Sequence, residues 1–366
     1  MEENLVPRAP NFHTPASFVG KPFPNLIAAA GPDATRRFIE FFTANIRNPN
    51  TRAAYARAVA QFLDWAEKHR LDLKGIGPFH VAAYIEQLPE RLRRERRFLR
   101  ASQAGRRYQS RTATTALEAP SVKQHLAAIR MLFDWLVTGQ IVPHNPAASV
   151  RGPKHIVKKG KTPVLSGEDA RVLLDSIPLT RKIARGGAEV EIPDLVGLRD
   201  RALIALMVFS FARVSAVVGM EVEDYYQSGK RFWIRLHEKG GKFHEVPVHH
   251  SAEAYLDAYL TTAGTQEAKK TPLFRAAVSR TNTLSDRPMS RTDALRMVKR
   301  RVAAAGLLDR VCCHTFRATG ITAYLEAGGT IENAQAIAAH ESPRTTKLYD
   351  RTKDEITLDE IERIRI

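Results

Sequence analysis

Apolar residues in the first half of the chain recur at three- and four-residue spacings, a pattern typical of amphipathic helices. Four such segments lie between residues 34 and 138. The first is predicted at 34–47, and the second begins after an N-cap at Asn50. The third is predicted at 78–88, and the fourth at 121–138, where Ser121 is the N-cap and Gly139 follows the end. Helices with one apolar face bury that face against one another. Residues 33–150 are therefore predicted to form a helical bundle.

The segments on either side of this bundle lack periodicity. Residues 1–32 carry Pro7, Pro10, Pro15, Pro22 and Pro24, with Pro32 at their edge, and are predicted to be an arm that is either flexible or strapped onto the bundle. Residues 151–163 are rich in Pro, Gly and Lys and are predicted to be an interdomain linker.

The pattern changes over residues 164–366, which are predicted to be a second domain. Ser166 and Asp169 form a variant capping box at its start, and an apolar helix from Arg199 is predicted to end at Arg213. Alternating apolar residues (Phe232, Ile234 and Leu236) then lead into a Gly-Gly turn and return through Val246 and Val248. This pattern predicts an antiparallel hairpin. The expected fold is mainly α with a small antiparallel β-sheet.

Charge points to a polyanionic partner. The chain of 366 residues has 56 Lys and Arg against 39 Asp and Glu, a net charge of +17. Residues 1–163 hold 26 basic and 12 acidic residues, whereas residues 164–366 hold 30 and 27. The first half is therefore expected to bind nucleic acid electrostatically. An anionic membrane surface is the alternative, but the chain contains no apolar run of about 20 residues.

Cysteine usage indicates a reducing compartment. Cys312 and Cys313 are adjacent and cannot form an ordinary structural disulfide, so a cytoplasmic location is expected. No second Cys/His pair follows at zinc-ligand spacing, and no P-loop or acidic metal cluster occurs. The sequence therefore predicts neither a metal nor a cofactor.

Residues His314 to Tyr349 carry the candidate chemistry. His314 and Arg317 lie three residues apart, on one face if that segment is helical, and His340 precedes Tyr349 by nine positions. A phenol could attack a phosphate, cations could hold the phosphate oxygens, and imidazoles could move protons. This combination predicts phosphoryl transfer.

The order of these residues, with Arg213 and Lys239 upstream, resembles the tyrosine recombinase (phage integrase) family over residue 34 to the C-terminus. The resemblance implies that Arg213 and Arg317 bind the scissile phosphate and that Tyr349 is the nucleophile. It further implies that Lys239 protonates the leaving 5′ oxygen. His314 would transfer a proton, and His340 would hydrogen-bond the phosphate. Lys242 is the second candidate for the general acid.

Four positions depart from the family pattern. Phe211-Ala212 stands where Gly-Leu is usual, Ala216 where an acidic residue is common, Glu238 where the hairpin has Gly, and Ala338-Ala339 where Leu-Gly is frequent. The first change is expected to alter packing only. The change at residue 216 removes a supporting carboxylate, for which Glu221 or Glu223 could substitute. Without the resemblance, Arg213 would be expected in a salt bridge with Glu221, Glu223 or Asp224.

A set of basic residues is expected to contact the DNA backbone, since Arg and Lys bind phosphate oxygens without reading sequence. The alternative for the Arg-rich insert after residue 88 is a solvated surface loop. The expected DNA contacts are Arg91, Arg93, Arg94, Arg96, Arg97, Arg106, Arg107, Lys123, Lys154, Lys158, Lys159, Lys161 and Lys242.

The resemblance implies a two-domain clamp around double-stranded DNA with inverted-repeat core sites. A core-binding (SAM-like) bundle would precede the catalytic domain. The chain would be a monomer when free in solution and a tetramer on synapsed DNA in the nucleoid. Residues after 355 would dock on a neighbouring protomer or on their own domain. The alternatives are a type IB topoisomerase and a catalytically inactive DNA-binding accessory protein.

Overall fold

The computed structural model describes residues 17–102, 119–154, 160, 162–238, 243–278 and 281–349, and for residues 92–102 the backbone alone. Its contacts divide the chain into two compact units, Met1–Ile156 and Val157–Ile366. The division falls within the segment 151–163.

Helices packed around an aromatic core build the first unit. Phe38, Phe62, Tyr84 and Phe133 are fully buried at its centre, where the apolar stripes of four helices meet. The bundle predicted from the periodicity is therefore confirmed. Its described elements are β1 (Ser17–Phe18), β2 (Lys21–Pro22), α1 (Asn25–Ala29), α2 (Pro32–Glu40) with a π-helical turn over Phe41–Asn45, α3 (Pro49–Lys68), α4 (Pro78–Ser102) and α5 (Ala119–Thr138).

Residues 17–32 form an arm strapped onto the first unit, the second of the two alternatives given for this segment. They form the hairpin β1–β2 and helix α1, and Phe23, Leu26 and Ile27 are buried in the core of the first unit. The backbone N–H of Leu26 also donates to Glu67 at 3.3 Å. Because α1 has only five residues, its apolar positions produce no periodic signal. Residues 1–16 lie outside the described part of the chain.

Two helix starts differ from the prediction. Asn48, and not Asn50, is the N-cap of α3, since its side chain accepts hydrogen bonds from the N–H groups of Asn50 (3.0 Å) and Thr51 (3.2 Å). Pro49 then occupies the first helical position, where a missing N–H removes no helical hydrogen bond. Helix α5 already includes Ala119, so Ser121 lies inside its first turn.

Helix α4 is longer than the predicted segment at 78–88. It continues through Pro89 to Ser102, so the first part of the Arg-rich insert is helical and not a loop. Residues 90–102 are mostly Arg, Glu, Leu and Ala, which favour the helix and outweigh one internal proline.

The second unit is mainly helical with small antiparallel sheets, as predicted. Its described helices are α6 (Gly167–Asp175), α7 (Leu195–Phe209), α8 (Val214–Val217), α9 (His250–Ala263), α10 (Arg291–Ala304), α11 (Cys313–Glu326), α12 (Ile331–Ile337) and α13 (Pro343–Lys347). Its described strands pair as β3 (Thr180–Arg185) with β4 (Ala188–Pro193), as β5 (Tyr225–Ser228) with β6 (Arg231–His237) and β7 (Phe243–Pro247), and as β8 (Arg275–Ala277) with β9 (Leu284–Pro288). Ser166 caps α6 as predicted, accepting from the N–H of Asp169 at 2.9 Å.

Helix α7 lies at the centre of this unit and packs against α9 and α11. Its buried Asp200 accepts hydrogen bonds from Arg199 at 3.1 Å and from Arg301 of α10 at 2.9 Å. The helix ends at Phe209, not at Arg213. Arg213 instead occupies the N-cap position of the short helix α8, because the backbone turns through a left-handed residue at Phe211, with φ of 54°.

The predicted hairpin is the pair β6–β7. Ile234, Leu236 and Val246 point into the core, as their alternation predicts, and the last pairs are Leu236 with His244 and His237 with Phe243. Residues 239–242, which carry Lys239 and Lys242, lie outside the described part of the chain. No described helix combines the length and the apolar character that a membrane crossing needs.

Candidate active site

Five of the six residues predicted to be catalytic come together in the second unit. Arg213 lies between α7 and α8, His314 and Arg317 lie in the first two turns of α11, His340 follows α12, and Tyr349 follows α13. Lys239, the sixth, is outside the described residues. Because these side chains lie on or beside different helices, they come together only when the unit is folded.

Tyr349 is held at three points. Its hydroxyl oxygen lies 2.9 Å from Nε2 of His314, and its ring stacks on His340 with 5.5 Å between ring centres. The hydroxyl of Thr322, in α11, donates to the backbone carbonyl of Tyr349 at 2.9 Å. Only 9% of Tyr349 is exposed, which is low for a phenol at a surface. The tyrosine therefore has a fixed position and a proton acceptor within hydrogen-bond distance.

Arg317 is buried, with 1% exposure, and two backbone carbonyls hold it. Its Nη1 donates to the carbonyl of Phe211, and its Nη2 donates to the carbonyl of Ala338 at 2.5 Å. Burial, followed by repulsion from Arg213, lowers the pKa of Arg317 to about 10, so it stays charged at neutral pH. The carbonyls use two of its five N–H donors, and Nε is buried without a hydrogen-bond partner among the described residues, so one N–H on Nη1 and one on Nη2 remain for Tyr349 or a ligand.

Left-handed backbone conformations stand next to both of these carbonyls. Phe211 has φ of 54° and Ala339 has φ of 46°, values that favour glycine. Phe211, which stands where the family pattern has Gly, was expected to alter packing only, and its ring does make new packing contacts. Phe211 keeps the backbone conformation for which glycine is suited, and its ring packs against Tyr324 and beside Gly320.

Arg213 forms an ion pair with Glu238, the residue directly after β6. The expected partners, Glu221, Glu223 and Asp224, are not used: Glu221 and Asp224 cap the 3₁₀ turn Val222–Asp224, and Asp224 also lies 3.4 Å from His237. Glu238 is 5% exposed and Arg213 is 32% exposed. The guanidinium is thus held by a buried carboxylate and remains open to solvent.

The two histidines have low affinity for protons. Burial, with repulsion from Arg317 and Arg213, lowers the pKa of His314 below its ordinary value of 6.5. The same causes, with His314 added, lower the pKa of His340 to about 3. The hydroxyl of Thr346 lies 2.9 Å from Nδ1 of His340 and fixes the ring. At neutral pH the guanidiniums therefore carry the positive charge, and the imidazoles act as neutral hydrogen-bonding groups.

This chain also matches a known sequence family. Residues 189–355, which contain Arg213, His314, Arg317, His340 and Tyr349, match the phage integrase family.

This match identifies residues 189–355 as a phage integrase domain.

Its relatives and structural neighbours agree. The chain is 29% identical over 303 residues to "Tyrosine recombinase XerD" of Corynebacterium glutamicum, covering 82% of this chain and 86% of that protein. The fold resembles the XerH site-specific recombinase bound to a palindromic difH substrate, with a TM-score of 0.61, 16% identity and coverage of 90% and 93%. It also resembles a lambda integrase tetramer bound to a Holliday junction, with a TM-score of 0.57, 15% identity and coverage of 88% and 78%. As a tyrosine recombinase, the chain is a DNA strand-transfer enzyme.

The predicted DNA contacts fall into three groups. Lys123 and Lys154 are exposed and line one pocket of about 470 Å³ in the first unit, together with Arg130 and Arg151. Arg91 is ion-paired with Asp64. The side chains of Arg93, Arg94, Arg96 and Arg97, and all of Arg106, Arg107, Lys158, Lys159, Lys161 and Lys242, lie outside the described residues. All thirteen remain predictions.

Three residues of the active site and one of the basic pocket were not singled out as functional from the sequence. Thr322 and Thr346 gave no signal, because a threonine in a helix has many ordinary uses. Arg151 was part of the predicted linker and was not counted as a DNA contact. Glu238 did give a signal, since it stands at a position where the family pattern has glycine. Within the described ranges, no cluster of three or more His, Cys, Asp or Glu residues could hold a metal.

Proposed function

We propose that this protein is a site-specific recombinase that cuts and rejoins duplex DNA through a 3′-phosphotyrosyl intermediate. The observation that carries this proposal is the placement of the Tyr349 hydroxyl at 2.9 Å from His314, in a site that also contains Arg213 and Arg317. A phenol has an ordinary pKa of about 10, so it attacks well only beside a proton acceptor or a positive field. The site supplies both.

The cleavage step follows from these positions. The oxygen of Tyr349 forms a bond to the scissile phosphorus, and its proton passes to Nε2 of His314, in the tautomer that carries its hydrogen on Nδ1. Arg213 and Arg317 stabilise the charge that accumulates on the non-bridging oxygens. The bond to the 5′ oxygen breaks, and that oxygen takes a proton, for which Lys239 is the proposed donor.

Joining is the reverse reaction with a different strand. A 5′ hydroxyl attacks the phosphotyrosine, the bond from phosphorus to Tyr349 breaks, and the phenol regains its proton. The phosphodiester bond energy is conserved in the protein–DNA linkage, so the proposed cycle requires no added cofactor.

The biological role proposed is integration and excision, or resolution, of a mobile element in the cytoplasm. The substrate would be double-stranded DNA with inverted-repeat core sites, bound by a homotetramer. Support for the assembly comes from the lambda integrase tetramer on a Holliday junction, whose fold this chain shares. Support for DNA binding comes from the net charge of +17 and the basic pocket lined by Lys123, Arg130, Arg151 and Lys154.

The test is a nicked duplex that contains the DNA flanking this gene in its native element. The wild type should form an SDS-resistant protein–DNA adduct in the presence of EDTA, and Tyr349→Phe should form none. Tyr324→Phe is the matched control, because Tyr324 packs on Phe211 in the same region but does not contact His314. Binding without an adduct would instead favour the accessory protein, and DNA relaxation without a site requirement would favour a type IB topoisomerase.

A further inference from the structure

We propose that Glu238 is the positioning residue for Arg213, holding the guanidinium from its buried side so that the remaining N–H groups face the scissile phosphate. This inference rests on the proposed function and extends it. It assigns to Glu238 the supporting role that an acidic residue at position 216 would have, where this chain has Ala216.

The contact is asymmetric in its exposure. Oε2 of Glu238 accepts a hydrogen bond from Nη1 of Arg213, and the side chain of Glu238 is 5% exposed while that of Arg213 is 32% exposed. A carboxylate this deeply buried is stable only with a cation beside it. Since the guanidinium is the more exposed partner, the pair leaves the face of Arg213 opposite the carboxylate open for a ligand.

The number of hydrogen bonds indicates that Glu238 positions Arg213 without using up its N–H donors. A guanidinium has five N–H donors. Among the described residues, the side chain of Arg213 makes a hydrogen bond to Glu238 alone, through Nη1. A bidentate pair would use two donors and both carboxylate oxygens, whereas here Oε1 of Glu238 is buried without a hydrogen-bond partner in the described part of the chain. The other donors of Arg213 therefore remain available to phosphate oxygens.

The surrounding charges explain why a carboxylate is needed. Arg213 and Arg317 repel one another, because the presence of Arg213 lowers the pKa of Arg317. Glu238 acts on Arg317 in the opposite direction and so offsets part of that repulsion. Since Arg317 is buried and held by two carbonyls, the repulsion would turn the more exposed Arg213 toward water before DNA binds if no anion stood beside it. Glu238 keeps Arg213 in place until a phosphate of the DNA supplies a second negative charge beside it.

The fold shows how a residue distant in sequence can fill this role. Ala216 lies in α8 and is buried, with 1% exposure, and α8 packs against β6, the strand that Glu238 follows. The carboxylate is therefore supplied by the strand next to α8 instead of by α8 itself. Lys239 follows Glu238 directly in the sequence, so the ion pair also fixes one end of the segment that carries the proposed general acid.

The experiment measures single-turnover cleavage of the nicked duplex and equilibrium DNA binding on the same proteins. Glu238→Gln should slow adduct formation about ten- to hundredfold, a loss comparable to a disturbed transition-state donor. Binding should be unchanged or tighter, because one negative charge near the DNA is removed. Glu245→Gln is the matched control, since Glu245 lies on the same hairpin and pairs with Arg235. It should cleave at the wild-type rate.

Two outcomes would overturn the inference. Unchanged cleavage by Glu238→Gln shows that Arg213 needs no such support, and faster cleavage shows that Glu238 competes with the phosphate. In an Arg213→Lys background, Glu238→Gln should add little further loss, because the residue acts through the guanidinium.

A second measurement does not depend on activity. Arg213→Gln alone leaves a buried carboxylate without a cation, so its Tm should be lower than that of the double variant Arg213→Gln/Glu238→Gln. Equal Tm values would mean that the pair does not form. If the wild type gives no adduct on any substrate, the proposed function fails, while the Tm comparison still decides whether Glu238 holds Arg213.

Discussion

Phe211 and Ala339 hold left-handed backbone conformations at two places that position Arg317. The carbonyl of Phe211 itself and that of Ala338, just before Ala339, accept hydrogen bonds from the guanidinium. A left-handed conformation costs a non-glycine residue roughly 1–2 kcal/mol. The second unit thus tolerates local strain where it directs two acceptors at one buried cation.

We expect Ala339→Gly to stabilise the protein by about 1 kcal/mol. Relief of the left-handed strain exceeds the added entropy of glycine in the unfolded chain, which is about 0.4–1 kcal/mol. Chemical denaturation measures the change. Ala336→Gly is the control, since Ala336 is exposed within α12 and the same substitution there should destabilise by about 1 kcal/mol. Destabilisation by both variants to a similar degree would contradict the strain at residue 339.

His340 makes the stability of the protein depend on pH. Its pKa is about 3 in the folded chain and about 6.5 when unfolded, so below pH 6.5 the unfolded chain binds a proton that the folded chain does not. Stability is therefore complete above pH 6.5 and is lost as the pH falls toward 3. At pH 5 the loss from His340 is about 2 kcal/mol.

The measurement is urea denaturation at pH 7 and pH 5. In His340→Asn the difference between the two free energies of unfolding should be about 2 kcal/mol smaller than in the wild type. His144→Asn removes an exposed histidine of the first unit and serves as the control. A pH difference in His340→Asn equal to that of the wild type would show that His340 is not held neutral.

Residue types predicted the chemistry, but not the contacts that support it. Arg213, His314, Arg317, His340 and Tyr349 could be found because the reaction needs those groups and their order in the chain is distinctive. Glu238, Thr322 and Thr346 could not be assigned roles, since their partners are determined by how β6, α11 and α13 pack. Such long-range packing leaves no local pattern in the sequence.

At the level of elements, the close approach of α11 to α7 brings the site together. Gly320 of α11 lies where a Cβ atom would collide with the carbonyl oxygen of Val208 in α7 and come within 2.7 Å of the ring of Phe211. Glycine at this position lets α11 carry His314 and Arg317 close to the end of α7. Arg213 begins α8 a few residues beyond that end.

Gly320→Ala should therefore destabilise the protein, although alanine favours helices. The added methyl group meets backbone, which cannot move aside as a flexible side chain can, and overpacking of this kind costs typically 1–3 kcal/mol. Thermal unfolding measures the loss. Gly139→Ala tests the same change beside the side chain of Arg37, which can rotate away, and should cost less. A Gly320→Ala protein as stable as the wild type would show that α11 and α7 are not in close contact there.

The periodicity of apolar residues predicted where helices form, but it did not predict where they end. The bundle of the first unit, the β6–β7 hairpin and the start of α6 at Ser166 were predicted. The long α4 was not, because residues 90–102 are charged and favour a helix through propensity and not through an apolar stripe. Helix α7 was predicted four residues too long, since the apolar run continues through a turn that only the backbone conformation of Phe211 reveals.

On the scale of the whole molecule, charge and chemistry are divided between the two units. Most of the excess positive charge lies before residue 164, and the described residues that are predicted to be catalytic lie after it. Arg151 and Lys154 are exposed at the pocket of the first unit, whereas Arg130 donates to the carbonyl of Ala147 and has a structural role as well.

Arg151→Ala and Lys154→Ala should each weaken DNA binding and reduce the dependence of log K on log salt by about 1. Each phosphate contact releases counterions from the DNA, so a variant that lacks one contact releases fewer of them on binding. Binding titrations between low and moderate salt measure the slope. Arg36→Ala, which removes an exposed arginine already paired with Asp33, should leave the slope unchanged. Slopes equal to the wild type in all three variants would place the DNA elsewhere.

Contacts within its own chain hold Tyr349 on several sides, among them His314 at the hydroxyl, His340 at the ring and Thr322 at the carbonyl. Because these contacts place the phenol beside Arg317 of the same chain, we expect each subunit to cut the strand it binds with its own tyrosine. In a cell that expresses both forms, Tyr349→Phe subunits would occupy places in the assembly and block it. The mutant allele should then be dominant over the wild type, and co-expression of Tyr349→Phe with Arg213→Ala should restore no recombination.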